Sequence, residues 1–195
     1  MKKMIKLTVA ILVVSSVVYA CKVKQQSNLS PEMKPKSVFT QENDADIVHL
    51  LAKNWVINVV NYQADARKNV LYERGIDANL HDFSKESFQL TSDEKVIYTD
   101  GAGKKHRGTW ELENESTQLV MKFEDGEEIS WDIIKRDKNH LDLHLAIDAR
   151  KIEWNVEDLD KIDIPTAVVF AGFYAGVVDE DTQSVNVTYR MMPRS

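Results

Sequence analysis

The fold is decided by a stretch in the middle of the chain, residues 118–134, which reads QLVMKFEDGEEISWDII. Apolar residues recur at every second position on both sides of Asp125-Gly126, a dipeptide typical of two-residue hairpin turns. Because successive side chains of a strand point to opposite faces, this pattern predicts two antiparallel strands with one apolar and one solvated face.

The same alternation continues on both sides of this hairpin. Turn-like segments rich in Asp, Asn and Gly separate the apolar runs, and no helical pattern long enough to connect parallel strands lies between them. We therefore predict short antiparallel strands over residues 54–62, 85–91, 95–100, 106–113, 118–124, 128–136, 140–148 and 151–157.

A meander with one apolar face has to stack against another layer or close on itself. The number of short strands predicts an all-β domain, an antiparallel up-and-down meander closed into a small β-barrel of about 8–10 strands. Residues 46–52 predict a short N-terminal helical turn that Asn43 or Asp44 caps. The less regular residues 68–83 are interpreted as a long loop that covers an opening of the barrel.

Residues 165–178 form a further apolar run, which is rich in small residues. We interpret this run as a buried strand that turns at residues 179–181 and pairs with residues 184–192. A buried helix is the alternative, because a short apolar run does not distinguish the two.

The first residues have the features of an export signal. Lysines precede the apolar stretch Leu7–Tyr19, and Ala20-Cys21 follows it. A small residue before a cysteine at this position resembles the lipobox of bacterial lipoproteins, and Cys21 is the only cysteine in the chain. The resemblance implies two or three acyl chains, palmitate among them, on Cys21. Lys22 next to the cysteine then favours the outer membrane, and the alternative is an ordinary cleaved signal peptide.

These features divide the chain into a signal peptide (residues 1–20), a lipidated cysteine with a flexible tether (21–46) and a barrel domain (47–195). The formal net charge is −6. Because the signal peptide contains three lysines, the mature chain has a net charge of −9. This charge argues against a nucleic-acid partner, and a single cysteine excludes an internal disulfide framework.

The order of motifs resembles the lipocalin-like domains of small bacterial lipoproteins. The resemblance covers residues 47–148 and includes Trp55 in the first strand, the Gly108-Thr109-Trp110 motif, the Asp125-Gly126 hairpin and the alternating leucines of residues 141–145. It departs from the pattern at Lys53, where a glycine is usual, and in its longer C-terminal tail. Membership would imply a barrel with a cavity, but it names no ligand. A domain in the periplasm and a domain at the cell surface are both compatible with the sequence.

The inward-facing residues of the predicted barrel suit a small apolar or amphipathic ligand. The predicted lining consists of Tyr98, Trp110, Met121, Phe123, Trp131, Leu143 and Trp154. The same side chains could fill an eight-stranded barrel completely. The second hypothesis is therefore a packed barrel that acts through its surface, as a protein-interaction module or an inhibitor of an envelope enzyme. The acidic residues 179–181 or the loop 68–83 would make that contact.

The other candidate motifs are weaker. On a strand His140 and His144 lie roughly 13 Å apart, too far to share one zinc ion, so we interpret them as part of a solvated face. The basic residues 104–107 could hold an anionic head group at the barrel mouth, although an exposed loop is the simpler interpretation. The acidic residues between 157 and 181 lack the spacing of a calcium loop. Because no catalytic motif is present, we predict no enzyme activity, catalytic residue, metal or cofactor.

Overall fold

The computed structural model describes residues 43–154 and 162–194. In these ranges the chain forms nine strands and two α-helices. In chain order they are α1 Asp44–Leu51, β1 Asn54–Ala64, β2 Arg67–Glu73, β3 Ser87–Leu90, β4 Lys95–Thr99, β5 Lys105–Glu113, β6 Gln118–Phe123, β7 Glu128–Arg136, β8 Leu141–Asp148, α2 Ile164–Tyr174 and β9 Ser184–Pro193. No helix in the described ranges is long and apolar enough to cross a membrane.

The strands form one antiparallel sheet that closes into a barrel. Strands β3 to β9 pair with their neighbours in chain order, and β1 closes the ring by pairing with β3 on one edge and with β9 on the other. Eight strands thus form the barrel, and β2 is a ninth strand that pairs with β1 beyond β3. The predicted all-β barrel of up-and-down strands is confirmed.

Close packing between strands explains one residue of the Gly-x-Trp motif. A Cβ atom at Gly108 would lie 2.1 Å from the carbonyl oxygen of Lys122 on the neighbouring strand β6. Only glycine permits this approach. The adjacent Trp110 is 2% exposed, and its indole N–H donates to the carbonyl of Thr91 at 3.1 Å.

The two helices lie at opposite ends of the barrel. Helix α1 precedes β1, and its buried Leu51 accepts a hydrogen bond of 2.8 Å from the indole of Trp55. Helix α2 lies within the connection between β8 and β9. It meets the other end of the barrel, where its first backbone N–H donates to Glu127 in the β6–β7 turn at 2.6 Å. The predicted helical turn near residue 46 corresponds to α1, which Asn43 caps.

The prediction of a buried strand at residues 165–178 is wrong, because Ile164–Tyr174 is helical. The side chain of Asp163 accepts a hydrogen bond from the N–H of Thr166 at 2.7 Å, and Pro165 occupies the first turn, where its missing N–H costs nothing. Strand β9 instead pairs with β8 and β1. Both edges of β9 are therefore occupied, and no place remains for a second strand beside it.

Two further predictions need correction. The predicted strand at 151–157 is absent from its described part, since Ala149–Lys151 is a turn of 3-10 helix and residues 152–154 are not in a strand. Residues 155–157 lie outside the described residues. Residues 68–83 are not all loop either, because Arg67–Glu73 pairs with β1 as strand β2. The loop is therefore shorter, from residue 74 to residue 86.

Candidate functional site

A cavity of about 860 Å³ lies at the α2 end of the barrel. Three parts of the chain surround it: the loop before β3, the β4–β5 turn and helix α2. The lining residues are Asn79–Phe83, Glu86, Tyr98, Asp100–Ala102, Lys104, His106, Glu127, Ile162, Ile164, Ala167, Val168, Phe170, Ala171, Tyr174 and Tyr189. This volume lies within the range of small-molecule sites, which is about 300–1,000 Å³.

Helix α2 provides the apolar wall of the cavity. Nearly every residue of this helix is apolar, and such a helix has to be covered on more than one side. One side packs on the barrel through Val169, which is fully buried. The other side lines the cavity. Gly172 permits the close packing on the barrel, because a Cβ atom there would lie 2.3 Å from the hydroxyl oxygen of Tyr62.

Two apolar side chains in the cavity wall remain in contact with solvent. Leu80, in the loop before β3, is 50% exposed, and Tyr174, at the end of α2, is 63% exposed. Covering apolar surface of this kind contributes about 25 cal/mol per Å². A bound apolar group would therefore gain free energy from both residues.

The floor of the cavity contains a buried carboxyl group. Glu86 is 6% exposed, and its Oε2 accepts a hydrogen bond from the Tyr98 hydroxyl at 3.1 Å. Tyr189 on β9 also hydrogen-bonds this carboxyl. Desolvation by burial, together with the negative charges of the nearby Asp100 and Asp82, raises the pKa of Glu86 to about 8. At neutral pH this group is therefore mostly protonated.

Further charged groups lie around this floor. The His106 Nε2 atom lies 3.0 Å from Asp100, and its Nδ1 atom lies 3.8 Å from Asp125. Desolvation raises the pKa of Glu127, whose carboxylate accepts the hydrogen bond from α2. Burial lowers the pKa of His81. The cavity thus joins an apolar wall to a polar floor that is rich in carboxyl groups.

The structure places the predicted lining residues in three environments. Tyr98 lies in the cavity wall. Five others are at most 6% exposed and belong to the core, and none of them lines this cavity: Trp110, Met121, Phe123, Trp131 and Leu143. Trp154 lies beside α2, with its ring 5.7 Å from Phe170 and 5.6 Å from Phe173. Cys21 lies outside the described residues.

The weaker candidate motifs have mixed outcomes. Lys104 and His106 line the cavity, whereas Lys105 and Arg107 are exposed and lie outside the lining. His144 is 8% exposed, so the interpretation of its strand face as solvated is wrong at this residue. Within the described residues, no three His, Cys, Asp or Glu side chains converge as a metal site. The acidic segment between 157 and 161 lies outside those residues.

Sequence reasoning missed Glu86, Tyr189 and the α2 wall. The sequence does contain a pattern that indicates Glu86. Residues 86, 88 and 90 follow the alternation that continues into β3, so Glu86 faces inward like Phe88 and Leu90. An acidic residue at such a position is unusual and often has a binding role. Residues of α2 had no comparable signal, because the segment shows no clear period.

Comparisons with known proteins identify no relative. No protein-family model matches the chain. No curated protein matches it in sequence either. The assignment of function therefore depends on the geometry of the cavity and on the N-terminal sequence.

Proposed function

We propose that the chain is a lipid-anchored binding protein of the bacterial envelope, with a lipocalin-like barrel that holds a small amphipathic ligand at its α2 end. The cavity of about 860 Å³ supports this proposal most strongly, because it combines an apolar wall with a buried polar floor. An apolar group would lie against α2, and a polar group would reach Glu86 and Tyr98. Binding sites for small molecules typically have this mixed lining.

The anchor is the second part of the proposal, and it rests on sequence. The lipobox-like Ala20-Cys21 pair and the single cysteine favour lipid attachment at Cys21. Several acyl chains would hold the protein permanently, whereas one chain binds a membrane only marginally. Lys22 favours the outer membrane as the destination.

The ligand part can be tested with the neutral, polarity-sensitive dye Nile red. A fragment of residues 35–195 contains both described ranges with their common hydrophobic core and is suitable for the titration. We expect saturable binding of one dye per protein. The substitution Ala167→Trp fills the cavity from α2 and should weaken binding by about tenfold or more.

The matched control is Ala146→Trp, since Ala146 is exposed on β8 and lies outside the cavity lining. This variant should bind the dye as the unchanged protein does. Equal affinity in the two tryptophan variants, or no saturable binding by the unchanged protein, would contradict the cavity as the binding site.

A packed barrel that acts through its surface is the second candidate. The fully buried Trp55 and Trp131 favour it, because such side chains fill the barrel interior. Phe173, on α2, is 41% exposed and could contact a partner protein. Under this alternative, an envelope protein would copurify with the chain, substitution of residues 179–181 would abolish the association, and Nile red would not bind.

A further inference from the structure

The charges around the cavity floor indicate which polar group the ligand presents there. Among the described lining residues, the carboxyl groups are those of Asp82, Glu86, Asp100 and Glu127, and the ammonium group is that of Lys104. Burial lowers the pKa of His81, so this imidazole is neutral at neutral pH. The imidazole of His106 lies between the carboxylates of Asp100 and Asp125. The floor thus has more acidic groups than basic ones.

Of these four carboxyl groups, only that of Glu86 is buried, since this residue is 6% exposed. Its Oε2 atom accepts from Tyr98, and the phenol of Tyr189 also hydrogen-bonds the carboxyl. Gly101 faces its other oxygen, and a Cβ atom at that residue would lie 3.4 Å from Oε1. Glu86 and Gly101 both line the cavity, so the polar group of a ligand is placed on this side of the carboxyl.

Burial and neighbouring acids both disfavour the ionised form of this carboxyl. The charged and titratable groups that act on it are Asp82 on the loop, Asp100 after β4, and the phenols of Tyr98 and Tyr189. The two phenols stabilise the carboxylate by donating hydrogen bonds, but the two aspartates oppose it. A positive charge beside Oε1 would stabilise the ionised form of Glu86 against the effects of burial and of the two aspartates.

We propose that the ligand is a cationic amphiphile, whose positively charged head group lies beside Glu86 and whose apolar part packs against α2 between Leu80 and Tyr174. This inference rests on the proposed function, because it assigns the class of ligand to the same cavity. An anionic head group would meet Asp82 and Asp100 and would be repelled.

The test compares three amphiphiles that share a twelve-carbon chain and differ in head-group charge. They are dodecyltrimethylammonium, dodecyl maltoside and dodecanoate, each used below its micelle-forming concentration to displace Nile red from residues 35–195. At pH 7.5 we expect the ammonium compound to bind about tenfold more tightly than the maltoside, and dodecanoate to bind most weakly.

The pH dependence makes the test specific to Glu86. The ammonium head group does not titrate, and it should bind more tightly when Glu86 is ionised than when this carboxyl is protonated. Its affinity should therefore rise between pH 6 and 8, by about tenfold in total, and level off above that range. The maltoside should show a smaller change.

Glu86→Gln removes the charge and retains an oxygen that can accept from Tyr98. We expect this variant to lose about tenfold in affinity for the ammonium compound and to lose most of the rise with pH. Its affinity for the maltoside should stay within about twofold of that of the unchanged protein. Glu113→Gln, at an exposed position on β5 outside the cavity lining, is the matched control.

The outcomes separate this inference from the proposed function. Equal binding of the three amphiphiles, or tightest binding of dodecanoate, would overturn the cationic class and leave the ligand cavity intact. Failure of all three to displace the dye, or failure of the dye to bind, would instead contradict the proposed function. If Glu86→Gln does not fold, the comparison of head groups on the unchanged protein still decides the question.

Discussion

Glu86 makes the stability of the domain depend on pH. Its ordinary pKa is 4.5, and burial raises the pKa to about 8 in the folded state. Between these two values the folded state holds a proton that the unfolded state has lost, so the free energy of unfolding falls as the pH rises.

The first prediction concerns this pH dependence. Glu86→Gln has no proton to lose, so its free energy of unfolding should fall less between pH 5 and 8. The difference between the two proteins should grow with pH to a few kcal/mol, since one pKa unit corresponds to about 1.4 kcal/mol. Urea unfolding at several pH values measures it. Glu128→Gln, at an exposed position, is the control, and parallel curves for all three proteins would contradict the assignment.

Trp131 gives a second prediction at the residue scale. Its side chain is fully buried, its ring lies 5.1 Å from that of Tyr189, and its indole N–H has no hydrogen-bond partner among the described residues. Trp131→Ala leaves a void and should lower the free energy of unfolding by about 3–5 kcal/mol.

Trp131→Phe is the informative comparison. It removes some buried volume, but it also removes an unpartnered buried N–H group, whose desolvation costs about 1–3 kcal/mol. We therefore expect a much smaller loss of stability than for the alanine variant, measured by the same urea titration. A loss as large as that of Trp131→Ala would show that the indole N–H has a partner.

Individual inward-facing residues were predictable to different degrees. The phase of the alternation identified Trp110, Met121 and Trp131 as buried, because each strand has a period of two. It did not distinguish the packed interior from the cavity, since both lie on the inward side. That distinction depends on residues from the loop and from α2, which are distant in sequence from these strands.

At the scale of elements, helix α2 depends on its packing against the barrel. Tyr62 donates a hydrogen bond to the carbonyl of Val168 at 3.3 Å, and Gly172 lies against the same tyrosine. A methyl group at residue 172 has no room, since the nearest neighbouring atom would be only 2.3 Å away. Gly172 is therefore one of the residues that determine how closely the cavity wall packs on the barrel.

The substitution Gly172→Ala tests this packing, because it should change the stability in the opposite direction from the same substitution in an exposed helix. In an exposed helix this change stabilises by about 1 kcal/mol. Here we expect a loss of about 1–3 kcal/mol from overpacking, together with weaker binding of Nile red. Thermal unfolding and the dye titration provide the measurements. A gain in stability would show that α2 does not pack closely on Tyr62.

The strands were more predictable than the segment that forms the cavity wall. Strands β3 to β8 coincide with predicted segments, because alternation and turn residues mark them independently of the rest of the fold. The apolar run at 165–178 contains no such period. Its helical state follows from the Asp163 cap, from Pro165 and from the closure of the barrel by β9, and this closure is a property of the whole sheet.

At the scale of the whole molecule, the anchor at Cys21 remains a prediction. Cys21→Ser removes the only thiol to which lipid could be attached. We expect the variant to leave the membrane fraction, or to remain unprocessed, when the full chain is expressed in a bacterium that processes lipoproteins. Fractionation and intact mass measure the result. A variant that stays in the membrane fraction with unchanged mass would contradict lipid attachment.

The barrel and the cavity are linked by the connection between β8 and β9. Most connections in the barrel are short turns, but this one places α2 over one end and creates the cavity there. A long connection of this kind often has a functional role. We propose that this end of the barrel binds an amphipathic ligand.

Amide chemical-shift mapping tests this claim most directly. Isotope-labelled residues 35–195 would be titrated with dodecyl maltoside below its micelle-forming concentration. We predict saturable shifts concentrated in residues 79–86, 98–106 and 162–174, the segments that line the cavity. Shifts that do not saturate, or that are scattered over the outer faces of strands β5 to β8, would contradict it.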